Sequence, residues 1–399
     1  MSSAAIADPI VIVGGARTPM GSFQGALAGL TASELGGAAI AAALERSGVE
    51  AGAVDEVVMG CVLPAGQGQA PARQAGFHAG LSERVPATTV NKMCGSGMKA
   101  IMLAMDQLRA GSADIVVAGG MESMSNAPYL LPQMRGGARM GAAQAQDHMF
   151  LDGLQDAYEE GRLMGSFAED CAERFQFTRA AQDAYALRSL SRAQAAQDEG
   201  RFDGEIAPVS VPTRRGSETV AQDEQPLRAQ PEKIPTLKPA FKPDGTVTAA
   251  NASSISDGAA AVVLMRESTA RARGLKVRAR LLSYGTHAHA PGWFTTAPIP
   301  AIRQALERAT MDSAAVDLWE INEAFAVVPM AAVHDLAIDE DRLNVNGGAC
   351  ALGHPIGASG ARIVVTLMHE MEARQAQRGV AALCIGGGEG TALTLERPQ

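Results

Sequence analysis

Apolar residues recur at helical spacing in two stretches that read almost alike. Residues 39–55 read AIAAALERSGVEAGAVD, and residues 301–317 read AIRQALERATMDSAAVD. They align without a gap and share AI, ALER and AVD at one offset. Ile40, Ala43 and Leu44 fall on one face of a helix, as do Ile302, Ala305 and Leu306. A short apolar run suited to a strand follows each stretch, at 56–62 and 318–321. Further on, Val90-Asn91 and Val345-Asn346 each open a glycine-rich turn that leads into a helical pattern. Met98, Ile101, Met102 and Met105 mark the first of these helices; Ile363, Leu367 and Met371 mark the second. Strand-like runs at 115–120 and 380–388 then close each half in glycines.

An internal duplication accounts for this order. It predicts an α/β chain of two halves, each a mixed sheet flanked by helices. The first half spans 1–120 and is completed by 250–275; the second spans 276–399. Residues 121–249 break the pattern with Pro128, Pro132, Gly136-Gly137 and a proline-containing stretch from 208 to 243. A helical pattern at 178–197 makes this more than a linker. Such insertions are often functional, and this one is expected to cover an active site.

Composition narrows the function. A formal net charge of −9 argues against broad binding to nucleic acid or anionic membrane. No apolar run is long enough for a membrane span. Residues 1–9 lack the basic and apolar segments of a secretory signal. Five scattered cysteines without a CxxC pair argue against a disulfide scaffold or zinc site, and a reducing cytoplasm is expected. His287-Ala288-His289 lacks acidic or thiol ligands at a recognised spacing; it reads as a loop close to the pocket, and no metal site is expected.

Three glycine-rich blocks carry candidate chemistry. In VNKMCGSG at 90–97, Cys94 sits at a strand-to-helix turn, where a helix N-terminus favours a thiolate. Gly95 and Gly97 remove side chains that would keep a substrate carbonyl from the backbone N–H groups. In NGGACALGHPIGASG at 346–360, five glycines and Pro355 surround His354, which can be oriented as a base. In CIGGGEG at 384–390, Cys384 ends a strand and offers a second thiol for acid–base work. The following TALTLER reads as strand, which excludes a dinucleotide-binding fingerprint. Asn322 in NEAFA follows a predicted strand. Cys61, Cys171 and Cys350 read as packed, unreactive thiols.

Together, and in this order, these blocks resemble the thiolase family, from VGGARTPMGSFQG at 13–25 to CIGGGEGTAL at 384–393. The resemblance implies two αβαβα halves with an inserted loop domain. It implies ping-pong acyl transfer between coenzyme A thioesters, by Claisen condensation or its thiolytic reverse, with no permanently bound cofactor. Cys94 would carry the acyl group, His354 would activate the Cys94 thiol, and Cys384 would move the α-proton. One oxyanion site would use His354 and a water on Asn322; the other would use the N–H groups of Cys94 and Gly386. Ser253, Phe241, Phe325 and Met164 match residues along the coenzyme A tunnel, and Arg228 is placed near its nucleotide end. A homo-oligomer, dimer or tetramer, is implied too. Leu163-Met164 stands where many short-chain members carry His-Met, which leaves room for longer or branched chains. A ketoacyl synthase would pair one cysteine with two histidines, and a non-catalytic CoA- or lipid-binding protein would need no second thiol.

Overall fold

A computed structural model describes residues 8–398. The reading of the first residues as free of a secretory signal falls largely on 1–7, outside the described residues. The first half contributes β1 (Ile10–Arg17), β2 (Gly21–Ser22), α1 (Ala32–Ser47), β3 (Glu56–Gly60), α2 (Pro71–His78), β4 (Ala87–Val90), α3 (Ser96–Ala110) and β5 (Ile115–Ser123). An irregular segment follows. It holds two hairpins, β6 (Tyr129–Leu130) with β7 (Gln146–Asp147) and β8 (Val209–Thr213) with β9 (Gly216–Val220). It also holds α4 (Met164–Phe175), α5 (Arg179–Asp198) and α6 (Glu224–Arg228). The chain then re-enters the sheet as β10 (Ser256–Arg266), pairing antiparallel with β5, and passes through α7 (Glu267–Ala272). The second half is β11 (Ala279–Ala288), α8 (Pro298–Arg308), β12 (Leu318–Ile321), α9 (Val327–Leu336), α10 (Ala349–Leu352), α11 (Ile356–Ala373), β13 (Arg378–Ile385) and β14 (Glu389–Glu396).

The strand order is β12-β13-β14-β11-β1-β10-β5-β3-β4, with β2 paired to β10. Read outward from the β1–β11 junction, each side runs the same way. The first is β1, β10, β5, β3; the second is β11, β14, β13, β12. The duplication therefore appears as mirrored strand order. The two halves do not keep separate sheets, as the sequence suggested: Ile10, Val11 and Ile12 pair with Leu281, Arg280 and Ala279 and join them.

The AVD of each repeat does the same work twice. Asp55 Oδ2 accepts the N–H groups of Asp114 and Ile115 at 2.8 and 2.9 Å, fixing the start of β5. Asp317 Oδ2 accepts those of Gln377 and Arg378 at 2.8 and 2.9 Å, fixing the start of β13. The repeated helices begin before the shared strings. Thr31 caps α1 with Glu34 in a reciprocal capping box, and Gly48 ends it in the left-handed region.

Alternation along the strands sorts side chains into layers. Ala381 and Leu383 face the middle layer, where α3 and α11 pack together; Val380, Ala382 and Cys384 face the outer layer with α8 and α9. Glycine allows the close approach of α11 to β5 and to α3. A Cβ on Gly120 would lie 2.0 Å from the Gly357 carbonyl oxygen, and one on Gly97 would lie 2.8 Å from the Ala361 nitrogen. Gly97 thus serves helix packing, and Gly95 faces the Ile385 side chain.

Two buried carboxylate clusters dock the inserted segment. Arg17, fully buried, meets Glu205 at 2.5 Å and both oxygens of Asp223 at 2.7 and 2.8 Å. Glu323 accepts the hydroxyls of Tyr185 and Ser189 on α5 at 2.9 and 2.7 Å. It also accepts Asn344 Nδ2 at 2.9 Å and the Cys350 N–H at 3.0 Å. Every donor around Glu323 is paired, which makes a buried carboxylate tolerable and directional.

Candidate active site

Cys94 lies between β4 and α3. Met93, the residue before it, takes a left-handed backbone (φ 48°), a conformation that costs energy and is typical of functional turns. The N–H groups of Gly386 and of Cys94 itself act on the Cys94 sulfur and favour its anion. Burial outweighs them and pushes the thiol up to about 11. The donors at the helix start favour the thiolate, as the turn implied, but burial has the larger effect and favours the thiol.

His354 precedes α11 and is buried. Its Nδ1 lies 2.6 Å from Ser359 Oγ, and that hydroxyl donates to the Pro355 carbonyl at 3.0 Å. With its proton committed, Ser359 Oγ accepts, so Nδ1 carries hydrogen and Nε2 keeps its lone pair. Nε2 is buried without a protein partner. Burial, and then the charge of Arg362, push His354 down to about 3, so it stays neutral and basic in form.

Cys94, His354 and Gly386 line one cavity of about 580 Å³. Met164, Ser253, Phe241 and Phe325 line it too, with Leu163 and Cys350. Its aromatic wall is a chain of edge-on contacts. Phe241 meets Phe325 at 6.1 Å, and Phe325 meets Phe294 at 6.4 Å between ring centroids. Phe241 can lie across the start of α4 because residue 165 is glycine; a Cβ there would sit 2.2 Å from the ring. Ser253 Oγ donates to the Ala324 carbonyl at 2.9 Å, which fixes its lone pairs toward other donors.

Other predicted residues do not reach the cavity wall. Cys384 is fully buried on β13; burial, and then the charge of a Cys94 thiolate, push its thiol well above the ordinary range. That coupling places the two sulfurs in one electrostatic neighbourhood. Asn322 is fully buried directly after β12, and neither polar atom of its amide has a protein partner. Unpaired buried amides are rare and mark places where water or ligand binds. Arg228 lines a separate recess of about 270 Å³ and pairs with Glu224 at 2.8 Å. Gln225, Ala249 and Cys350 border both spaces.

The His287–His289 segment is partly strand, and it lies beside the glycine turn that borders the cavity. His287 belongs to β11, and neither histidine lines the cavity. His289 instead donates its backbone N–H to the Gly388 carbonyl at 2.9 Å and braces the glycine turn after Cys384. Sequence reading missed Ser359, Phe294, Glu122 and Arg362. Ser359, five residues after His354 in GASG, had a legible position but no legible partner.

Comparison with known proteins agrees with this geometry. The family model for the thiolase N-terminal domain matches residues 10–268, and that for the thiolase C-terminal domain matches residues 275–397. An acetyl-CoA acetyltransferase of Pseudomonas aeruginosa is 52% identical over 390 residues, covering 97% of this chain and 99% of that protein. A probable acetyl-CoA acetyltransferase of Escherichia coli is 50% identical over 391 residues, covering 98% and 99%. The crystal structure of the Bacillus anthracis acetyl-CoA acetyltransferase superposes with a TM-score of 0.95 at 41% identity, covering 98% of this chain and 99% of that one. Mirrored halves, one cavity with a thiol and a neutral imidazole, and matches along nearly the whole chain lead to one conclusion: this chain belongs to the thiolase family.

Proposed function

We propose that this thiolase acts as an acetyl-CoA C-acetyltransferase through an acetyl-Cys94 intermediate. The observation that carries the reading is the shared cavity, in which a half-buried thiol, an unpartnered imidazole nitrogen and the Gly386 turn meet an apolar tunnel. His354 Nε2 takes the Cys94 proton as the sulfur attacks the thioester carbonyl, then returns it to the departing coenzyme A thiolate. Proton transfer accompanies attack because a thiol near pKa 11 supplies little free thiolate. In condensation, Cys384 acts as its thiolate and removes the α-proton of a second acetyl-CoA, then passes that proton to the Cys94 thiolate released when the new carbon–carbon bond forms. The resulting enolate attacks acetyl-Cys94, whose thiolate leaves; thiolysis runs the same steps backward.

The N–H groups of Cys94 and Gly386 serve the tetrahedral oxyanion. His354 and a water on Asn322 serve the enolate oxygen. Losing one such donor typically costs about a hundredfold or more in rate. Ser253, Phe241, Phe325 and Met164 receive the pantetheine arm and acyl group, and Arg228 the nucleotide end of coenzyme A. The arrangement needs no resident cofactor. A homo-oligomer belongs to the same reading, supported by the exposed Tyr129, Leu131, Met134 and Met140 of the inserted segment. A cytoplasmic setting is supported by five free cysteines. The relatives do not favour a ketoacyl synthase or a non-catalytic binder.

Brief incubation with acetyl-CoA followed by peptide mass spectrometry tests the reading. The expected result is an acetyl adduct on Cys94. An adduct elsewhere, or none, overturns it.

A further inference from the structure

Three backbone donors from the two halves converge on one buried carboxylate. Glu122, near the end of β5, is fully buried. Its Oε2 accepts the N–H of Val62 at 2.9 Å and that of Gly357 at 2.9 Å. Its Oε1 accepts the N–H of Leu63 at 3.1 Å and faces the Cys61 thiol at 3.5 Å. Val62 and Leu63 follow β3 in the first half. Gly357 lies in the first turn of α11, three residues after His354. The approach is tight: a Cβ at Gly357 would lie 2.5 Å from Glu122 Oε2 and 3.1 Å from the Cys61 Cα.

An ionised carboxylate only accepts, and donors occupy both its oxygens, so the contacts suit the anion. Burial pushes the carboxyl up to about 7, while the N–H groups of Val62, Leu63 and Gly357 oppose that rise. Among the described residues no Arg or Lys side chain bonds to it; its partners are the Cys61 thiol and the three N–H groups. Backbone dipoles, including the N-terminal turn of an 18-residue helix, hold the charge. The same charge works against Cys94, whose thiol it pushes up. Glu122 therefore cannot help acyl transfer by activating the thiol electrostatically, and any benefit has to be geometric.

We propose that Glu122 is a positioning residue for acyl transfer, clamping the His354 turn of one half to the loop after β3 in the other. This rests on the reading of Cys94 as the acylated thiol and His354 as its base. The clamp matters because the two groups belong to different halves, and a displacement of about 1 Å can cost about a hundredfold in rate. Glu122→Gln keeps the size but turns an amide NH₂ toward N–H donors. Glu122→Asp keeps the charge but shortens the reach by one carbon.

Rapid-quench acylation of Cys94 by acetyl-CoA, measured beside site-resolved iodoacetamide alkylation against pH, separates the possibilities. Both variants are expected to slow acylation at saturating acetyl-CoA by about ten- to a hundredfold, with KM changed less than about threefold. Glu122→Gln should also shift the Cys94 alkylation profile to lower pH, because a nearby negative charge is gone; Glu122→Asp should not. Wild-type acylation rates in either folded variant overturn the inference. So does a slowed Glu122→Asp whose alkylation profile shifts like that of Glu122→Gln, since general loosening would then be the cause. Should Glu122→Gln fail to fold, Glu122→Asp alone decides by its rate. Absence of acylation at Cys94 in the wild type would instead remove the thiolase reading itself.

Discussion

Ser359 Oγ sits 2.6 Å from His354 Nδ1 and spends its own proton on the Pro355 carbonyl. One hydroxyl thereby sets the tautomer of the histidine that lines the same cavity as Cys94. Ser359→Ala leaves Nδ1 free to lose hydrogen to Nε2, which would present a donor where an acceptor is needed. The expected outcome is a fall of about ten- to a hundredfold in the acylation rate, with KM for acetyl-CoA little changed. Ser359→Thr should restore part of the rate, which rapid-quench kinetics will register.

The two thiols should separate by step. Cys94→Ala is expected to abolish transfer in both directions. Cys384→Ala should still form acetyl-Cys94 while condensation falls by about two to four orders of magnitude. Mass spectrometry reads the first step, and acetoacetyl-CoA formation the second.

Alkylation of wild-type Cys94 by iodoacetamide should be slow at neutral pH. Burial holds the thiol up to about 11, against the N–H groups of Gly386 and Cys94. Its rate should climb about tenfold per pH unit toward that value, since the thiolate is the nucleophile. A plateau near pH 7 in site-resolved peptide mass spectra would contradict this.

His369, on α11, offers a stability test away from the chemistry. Burial, and then the charge of Arg278, depress it to about 3 from an ordinary 6.5. Between those values the unfolded chain binds more protons than the folded one. The His369 contribution therefore lowers stability as pH falls from 6.5 toward 3, and is fully relieved above 6.5. Urea unfolding of wild type and His369→Gln across that range should show a shallower acid loss in the variant.

Gly120→Ala should strain the seam between the halves. The added Cβ meets the Gly357 carbonyl oxygen at 2.0 Å and the Gly97 Cα at 3.0 Å, and both are backbone that cannot swing aside. Overpacking of this kind costs about 1–3 kcal/mol or more. Gly52→Ala, with nothing within 4 Å of its Cβ, is the matched control and should leave the urea midpoint nearly unchanged.

Local sequence carried a large part of the plan. The string ALER at one offset in two places marked α1 and α8, because amphipathic spacing is a property of neighbours along the chain. Thr178, read as the start of a helical pattern, caps α5 through its hydroxyl. Cys94, His354 and Cys384 were legible because glycine-rich turns around single reactive residues are uncommon as packing devices. The purpose of some of those glycines was not legible. Gly97 and Gly120 answer to the carbonyl of Gly357, more than two hundred residues away in the chain.

Sequence by itself determined that there are two related halves, which turns carry sulfur and imidazole, and which segments alternate as strand and helix. Tertiary structure alone decided that β1 and β11 fuse the halves into one sheet. It also decided that burial raises the Cys94 thiol and lowers His354, that the Ser359 hydroxyl meets His354 Nδ1, and that Glu122 accepts an N–H from the first turn of α11. The reason is physical. Periodicity and turn chemistry are written between adjacent residues, whereas desolvation and hydrogen-bond partnership depend on which distant atoms displace water around a group.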